Sequence, residues 1–145
     1  MPIWVRLLTI AEMAELSRRT ASERIGMVFT GCGDDWIEGS LPLDERTRGA
    51  DGALAHGALA IAAETLASVG ANMCVDSGHA CLGQVLHLQH AEPVVRGPVS
   101  GRATPLWIRA RDQLWQIEFR DAGDARVCVA QLTLAVIDRE HMPRT

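Results

Sequence analysis

The stretch from Leu54 to Val69, LAHGALAIAAETLASV, decides the fold. Its alanines and leucines favour a helix, and the pair His56-Gly57 stands at its start. The interior holds one carboxylate, Glu64. A helix that is apolar on every side is predicted to lie in a core, where an ionised carboxylate costs several kcal/mol unless it is paired or used in chemistry. Glu64 is therefore the first candidate for a functional residue, and we expect it to be enclosed.

Length and composition set limits on the class of protein. The 145 residues, 48% of them hydrophobic, predict a single domain over residues 1–145 with a core of ordinary size. No apolar run reaches the roughly 18 residues that span a bilayer. Near the start, Arg6 and Glu12 interrupt the apolar segment that a signal peptide requires. We therefore expect a cytoplasmic protein without a membrane partner.

Charge and cysteine usage exclude several functions. A net charge of −4 argues against a nucleic-acid partner. All 14 basic residues are arginine, which excludes a P-loop and a Schiff-base lysine. The four cysteines lack CxxC spacing, which predicts reduced, mostly buried thiols and neither a metal site nor disulfides. They are Cys32, Cys74, Cys81 and Cys128.

Local patterns predict the other elements. Thr9 and Glu12 form a capping box for a short helix that ends near Ser17. A hairpin joined by a turn at 33–35 is predicted next, and a polar loop over 44–52 leads into the apolar helix. Four strands follow, with a bulge near Pro105 and a turn at 121–124. The predicted strands are Ile25–Cys32, Trp36–Leu43, Ala80–Gln89, Val94–Arg111, Gln113–Arg120 and Arg126–Ile137.

The order of these elements predicts the fold class. Consecutive strands with short connections form an antiparallel sheet, because parallel strands need crossovers of a dozen residues or more. One sheet face must cover the apolar helix, so the sheet is expected to curve around it. The sequence therefore predicts an α+β protein with the hotdog fold, a curved antiparallel sheet wrapped around one long central helix.

Three segments also resemble a known family. They are LPLDERTRGADGALAHGALAIAAE at 41–64, LWQIEF at 114–119 and QLTLA at 131–135. In these segments the chain resembles hotdog-fold acyl-CoA thioesterases, in particular the branch of the 1,4-dihydroxy-2-naphthoyl-CoA, 4-hydroxybenzoyl-CoA and phenylacetate-pathway enzymes. The resemblance implies a coenzyme A or acyl-carrier thioester as substrate and no cofactor.

The resemblance also implies roles for individual residues. Glu64 takes the position of the catalytic nucleophile or general base, and Ser68 the position of the hydroxyl that assists it. A backbone N–H of Gly57 or His56 would bind the thioester oxygen. Two positions depart from the family: Gly49 stands where a glutamine usually holds the carbonyl, and His56 lies one residue later than the family's histidine, whose position Ala55 occupies. A local shift of the loop by one residue would restore the geometry.

Helix geometry adds a prediction about assembly. Gly57 and Glu64 are seven residues apart, or about 10 Å along a helix, too far for both to reach one carbonyl. A working site is therefore expected to combine the helix start of one subunit with Glu64 of another, which predicts a two-fold homodimer. The resemblance implies the same arrangement, often as a homotetramer built from two dimers.

Other residues are candidates for holding the rest of the substrate. The phosphates of coenzyme A suit arginine forks, and the candidates are Arg96, Arg102, Arg109 and Arg111. By resemblance we add His90, and Glu92 stands where a basic residue is expected. Each arginine has the alternative of being a solvated charge at a strand edge.

The candidate catalytic residues also have structural alternatives. Glu64 would be idle if it faced a solvent channel or paired with an arginine. His56 could cap or pack against the helix start, and Ser68 could bond a backbone carbonyl. At the level of function, the alternatives to a thioesterase are a hotdog hydratase or dehydratase that uses His56 with Glu64, and a binding protein that holds an acyl thioester without hydrolysing it.

Overall fold

The central helix, α3, spans His56–Met73 in the computed structural model, which describes residues 1–144. It begins two residues later than predicted because Ala55 has extended backbone angles and acts as the N-cap. The other elements are α1 (Ile10–Ser17), α2 (Ala21–Arg24), β1 (Val28–Cys32), β2 (Ile37–Leu41), β3 (His79–His90), β4 (Val99–Ile108), β5 (Asp112–Arg120), β6 (Arg126–Asp138) and a 3-10 turn at Arg139–His141.

The six strands form one sheet in the order β1-β2-β4-β5-β6-β3. All five neighbouring pairs are antiparallel, as predicted. The sheet curves around α3 and gives the α+β hotdog architecture. β3 is an edge strand, because it pairs with β6 on one side only. That edge carries unpaired backbone groups and is open to another chain.

The core lies between α3 and the concave face of the sheet. Along β5 the side chains alternate, so Trp115, Ile117 and Phe119 are buried while their neighbours face outward. From the helix, Leu59 and Leu66 enter the same core. This burial holds the helix on the sheet and thereby sets the position of its remaining, uncovered side.

Trp115 packs against α3 at Gly70. A Cβ at Gly70 would lie 2.8 Å from the ring, so a larger residue would have to push the helix away. The indole Nε1 donates to the buried Gln113 side chain, whose own Nε2 donates to the carbonyl of Ala71. The helix is therefore fixed to β5 by a close contact and by a satisfied polar link.

Several local predictions are confirmed. The capping box exists, with Thr9 Oγ1 accepting from Glu12 N and Glu12 accepting from Thr9 N. The register of β4 on β5 shifts between Pro105 and Trp107, which is the predicted bulge. Asp121 closes the last turn by accepting from two backbone amides.

Two predicted strands begin too early. The sequence predicts a first strand from Ile25, but Ile25 is the C-cap of α2 and β1 starts at Val28. The predicted fourth strand starts at Val94, whereas β4 begins at Val99. Val94 is buried and accepts a hydrogen bond from Leu54 N, so this segment packs beside the loop that enters α3 and does not join the sheet.

The cysteines are free thiols, as predicted. Burial raises the pKa of Cys74 to about 12 and the pKa of Cys81 and Cys128 to about 11. These three thiols therefore stay protonated and unreactive at neutral pH. Within residues 1–144, none of the helices combines the length and hydrophobicity that a membrane crossing requires.

Candidate active site on the central helix

One side of α3 is not covered by the sheet, which corrects the prediction of a helix buried all round. Glu64, His56 and Gly57 are exposed in the single subunit, while Ser68 is half-buried. The apolar composition hid this side because alanine, glycine and threonine tolerate exposure and leave no polar stripe. Glu64 is therefore available to a ligand or a partner in the single subunit, and its enclosure at a contact between subunits stays a prediction.

Glu64 is held by Ser68. The Ser68 hydroxyl donates to Glu64 Oε1 at 2.6 Å, across the i,i+4 spacing of the helix. This hydrogen bond fixes the carboxylate, while Oε2 keeps its lone pairs for other contacts. A backbone carbonyl partner for Ser68, the structural alternative considered above, is not what the structure shows.

The carboxylate of Glu64 also reaches the edge strand β3. A Cβ placed on Gly83 would lie 3.6 Å from Glu64 Oε1, so the bare backbone of this glycine faces the carboxylate. The ladder with β6 shifts register between Gly83 and Val85, which leaves Gln84 as an extra residue. This bulge was not predicted from the sequence, and it lies next to the candidate nucleophile.

The start of α3 presents unoccupied backbone donors. The amides of His56 and Gly57 have no acceptor among residues 1–144, and the N-cap Ala55 has no side chain that can cap them. A Cβ on Gly57 would meet nothing within 4 Å. The helix end therefore offers N–H groups and the positive end of the helix dipole to a group that approaches from outside.

Two histidines stand beside this helix start. The rings of His56 and His90 meet edge to face with centroids 4.4 Å apart, and His90 Nε2 is buried without a hydrogen-bond partner within residues 1–144. Burial lowers the pKa of His90, the nearby His56 lowers it further, and a hydrogen bond to the backbone of Glu92 opposes both. His90 is therefore a neutral ring at neutral pH.

The two departures from the family pattern lie side by side. A Cβ on Gly49 would stand 3.8 Å from Ala55 Cβ, and Gly49 N donates to Ala53 O within the turn that leads to the helix. Ala55 precedes the helix as its cap, and His56 is the first helical residue. The loop therefore does not shift in a way that would place His56 at the N-cap.

The candidate arginines differ in their surroundings. Arg109 pairs with Asp112 at 2.8 Å and lies over the Trp107 ring. Arg102 is likewise paired with a carboxylate of β2. Arg96 and Arg111 are exposed, and neither joins an ion pair within residues 1–144.

Of two concavities of similar volume on the surface of residues 1–144, one adjoins Glu64. A groove of about 470 Å³ runs between α3 and the α1–α2 segment and is lined by Glu64 and Ser68. The other, of about 450 Å³, lies on the outer sheet face among the ion pairs of Glu38 with Arg102 and of Glu118 with Arg120. The groove between α3 and the α1–α2 segment is therefore the concavity that contains the candidate catalytic residues Glu64 and Ser68.

One group of side chains has metal-ligand chemistry within residues 1–144. Asp138, Glu140 and His141 hold ligand atoms within 4.8 Å of one another after β6, and all three are exposed. They already form ion pairs among themselves. Glu64 is not part of this group.

Comparisons with known proteins identify the family and support the fold. The profile of the thioesterase superfamily matches residues 51–128, which include α3 and most of the sheet. The proofreading thioesterase EntH of Cronobacter sakazakii is 33% identical over 135 residues, which are 93% of this chain and 98% of that protein.

Two crystal structures share the fold closely. A thioesterase of Haemophilus influenzae has a TM-score of 0.91 at 34% identity and covers 97% of this chain and 99% of its own. A glutamine-to-alanine mutant of a thioesterase of Pseudomonas aeruginosa has a TM-score of 0.92 at 26% identity over 94% of this chain and 99% of its own. With its hotdog fold, its profile match and its relatives, this chain belongs to the thioesterase superfamily.

Proposed function

We propose that this protein hydrolyses an acyl-CoA or acyl-carrier thioester at a site shared by two subunits, with Glu64 as nucleophile or general base. The observation that carries the proposal is the pair of Glu64 and Ser68 facing an apolar groove. The uncapped start of α3 supplies the second half of the site. Both halves adjoin the same free edge strand.

The edge strand supports a composite site. Glu64 adjoins Gly83, and His56 adjoins His90, seven residues further along β3. If two copies of β3 pair antiparallel about a two-fold axis at His87, the extra residue Gln84 brings Gly83 opposite the partner's His90. Each Glu64 then faces the helix start of the other subunit.

The bulge at Gln84 places the two halves of the site on the same face of the paired sheets. Residues seven apart in a regular strand point to opposite faces. The extra residue Gln84 changes the phase, so Gly83 pairs with the inward Leu134 and His90 with the inward Cys128. Both positions therefore face the helix side of the sheet. Exposed apolar side chains at Leu82 and Val85 would be covered by the second copy.

The chemistry follows from these groups. Glu64 attacks the thioester carbonyl carbon, or takes a proton from a water that attacks it. The amides of His56 and Gly57 in the partner subunit stabilise the negative charge on the carbonyl oxygen. Collapse of the tetrahedral intermediate breaks the C–S bond and releases the thiol. After direct attack, water then cleaves the anhydride between the acyl group and Glu64, so that in both routes water supplies the oxygen and protons of the products. Ser68 orients Glu64 throughout.

The remaining assignments also belong to the proposal. Arg96 and Arg111 are candidate partners of the coenzyme A phosphates, with Arg109 if its pair with Asp112 opens. Gly49 has no side chain that could donate a hydrogen bond to the carbonyl, and the pair of His90 and His56 at the helix start is the candidate replacement. By resemblance we propose a cytoplasmic homotetramer formed from two such dimers.

A thiol-release assay with a panel of acyl-CoA esters tests the function. Wild type should release thiol, and Glu64→Ala should lose at least about a hundredfold in kcat, as expected when the main base or nucleophile is removed. Glu15→Ala is the matched control, because Glu15 is an exposed helical carboxylate paired only with Arg18. It should keep wild-type activity.

The same assay separates the alternative functions. A hydratase would change the absorbance of an enoyl thioester without release of thiol. A binding protein would raise its melting temperature with the ligand and release none. Thiol release that is equal in wild type and Glu64→Ala would overturn the role of Glu64.

A further inference from the structure

The groove beside Glu64 has an unusual lining. Its apolar walls come from α1, α2 and the uncovered side of α3: Leu16, Ala21, Ala60, Ile61 and Val69. Leu16 is 61% exposed at the rim, a large apolar side chain that the subunit itself does not cover. A volume of about 470 Å³ lies within the range of ligand sites in proteins.

Five hydroxyl groups also line the groove, and each has already donated its proton. On α3, Thr65 donates to Ile61 O and Ser68 donates to Glu64. On the opposite wall, Ser17 donates to Met13 O.

The other two hydroxyls, those of Thr20 and Ser22, are hydrogen-bonded to each other. Thr20 donates to Ser17 O at 2.6 Å, so the hydrogen bond between Thr20 and Ser22 must use the Ser22 proton. No hydroxyl proton is left for a ligand.

The charges of the groove lining also favour an apolar ligand. Among residues 1–144, neither arginine nor histidine lines the groove, and Glu64 is its single charged residue. An anionic or carbonyl group deep in the groove would find no donor and would lose its hydration without compensation. An apolar chain would lose nothing.

We propose that this groove binds the acyl chain of the thioester and selects unsubstituted apolar acyl groups over acyl groups with a polar or anionic end. The proposal rests on the function proposed above, because it takes the carbonyl at Glu64 as the start of the chain. Each methylene that enters the groove should raise kcat/KM about fourfold until the groove is full.

The sharpest substrate pair is octanoyl-CoA and suberyl-CoA, which have the same chain length and differ in the terminal carboxylate. We expect kcat/KM for octanoyl-CoA to exceed that for suberyl-CoA at least about tenfold. Equal values, or a preference for suberyl-CoA, would overturn the proposal.

Two variants locate the preference in the groove. Ala21→Phe should fill it and reduce the ratio of octanoyl to acetyl activity at least about tenfold, whereas Ala14→Phe, a change at an exposed alanine of α1 outside the lining, should leave that ratio unchanged. Leu16→Arg should raise kcat/KM for suberyl-CoA relative to that for octanoyl-CoA. A ratio that is the same in Ala21→Phe and Ala14→Phe would also overturn the proposal.

Binding of a ketone analogue, in which a methylene separates sulfur from the octanoyl carbonyl, distinguishes this proposal from the hydrolytic function. If wild type binds the analogue and Ala21→Phe does not, while no ester is hydrolysed, the groove assignment holds and hydrolysis fails. If acetyl-CoA is hydrolysed but the analogue binds equally to both proteins, hydrolysis holds and the groove assignment fails. Absence of both activities overturns both.

Discussion

The i,i+4 relation of Glu64 and Ser68 shows what can be predicted for a single residue. Once the stretch is assigned as a helix, the spacing alone places the hydroxyl beside the carboxylate, and the structure contains that hydrogen bond. Exposure could not be predicted in the same way, because it depends on which helix side the sheet covers. Glu64 is thus held by its own helix and left open by the rest of its subunit.

A pair of substitutions at His56 separates the backbone amide from the imidazole ring. His56 is the first helical residue, and the extended N-cap Ala55 suits a following proline, so His56→Pro should fold. We expect about a hundredfold to thousandfold loss of kcat, since one oxyanion donor disappears. His56→Ala keeps the amide and should lose less than about tenfold. Steady-state thiol release measures both.

The contrast between these variants is the test. Equal losses in His56→Pro and His56→Ala would assign the oxyanion contact to Gly57 or to the ring. Circular dichroism and melting curves verify that both variants retain the helix.

At the scale of elements, β3 contributes the feature that the sequence analysis did not foresee. Its run of alternating residues predicts a strand correctly. The bulge at Gln84 has no local signal, because an extra residue is visible only where β3 faces β6. Glycine at position 83 is compatible with it, but a glycine in a strand also fits other roles. Which β3 side chains face the helix therefore depends on how β3 pairs with β6.

The start of β3 should make the stability of the protein depend on pH. His79 Nδ1 lies 2.8 Å from Asp76 Oδ1 and its Nε2 lies 3.5 Å from Asp138. The hydrogen bond to Asp76 and then the charge of Asp76 raise the pKa of His79 in the folded protein. The stabilisation is complete below the unfolded pKa of about 6.5 and is lost as the pH rises through the folded value.

Melting curves of wild type and His79→Gln between pH 5.5 and 8.5 measure this effect. The difference in Tm should be largest at the acid end of that range and shrink toward pH 8.5. Asp76→Asn is the matched variant, because it removes the group that raises the pKa of His79; its difference in Tm from wild type should shrink toward pH 8.5 in the same way. A difference for His79→Gln that does not change with pH would show that the ring acts by packing alone.

At the scale of the whole molecule, the composite site predicts that two inactive proteins restore each other. Glu64→Ala removes the carboxylate and His56→Pro removes the amide, so each homodimer lacks one half of both sites. In a mixed dimer, one of the two sites has both halves intact. Random mixing makes half of the dimers mixed, so about a quarter of wild-type activity should return.

Co-expression of the two variants with different affinity tags allows the mixed dimer to be purified and assayed. The single-variant proteins, prepared in the same way, are the controls. No recovery of thiol release in the mixed dimer would show that each site lies within one subunit, which would contradict the pairing along β3.

The central helix, the capped first helix and the six strands are predictable from the amino-acid sequence alone, apart from α2 and the exact strand starts. A helix rich in alanine, strands with alternating side chains, a capping box and turn residues follow from short-range patterns, and their order selects an antiparallel sheet curved around one helix. The position of the acid on that helix, and of the hydroxyl one turn later, follows from the same spacing.

Only the tertiary structure decided which side of α3 remains uncovered, that α1 and α2 form the opposite wall of the groove, and that β3 carries a bulge. These features depend on contacts between residues far apart in the chain, and such contacts leave no periodic pattern in the sequence. The sheet covers one side of the helix because its buried side chains fit there, and the reactive groups lie on the side that remains.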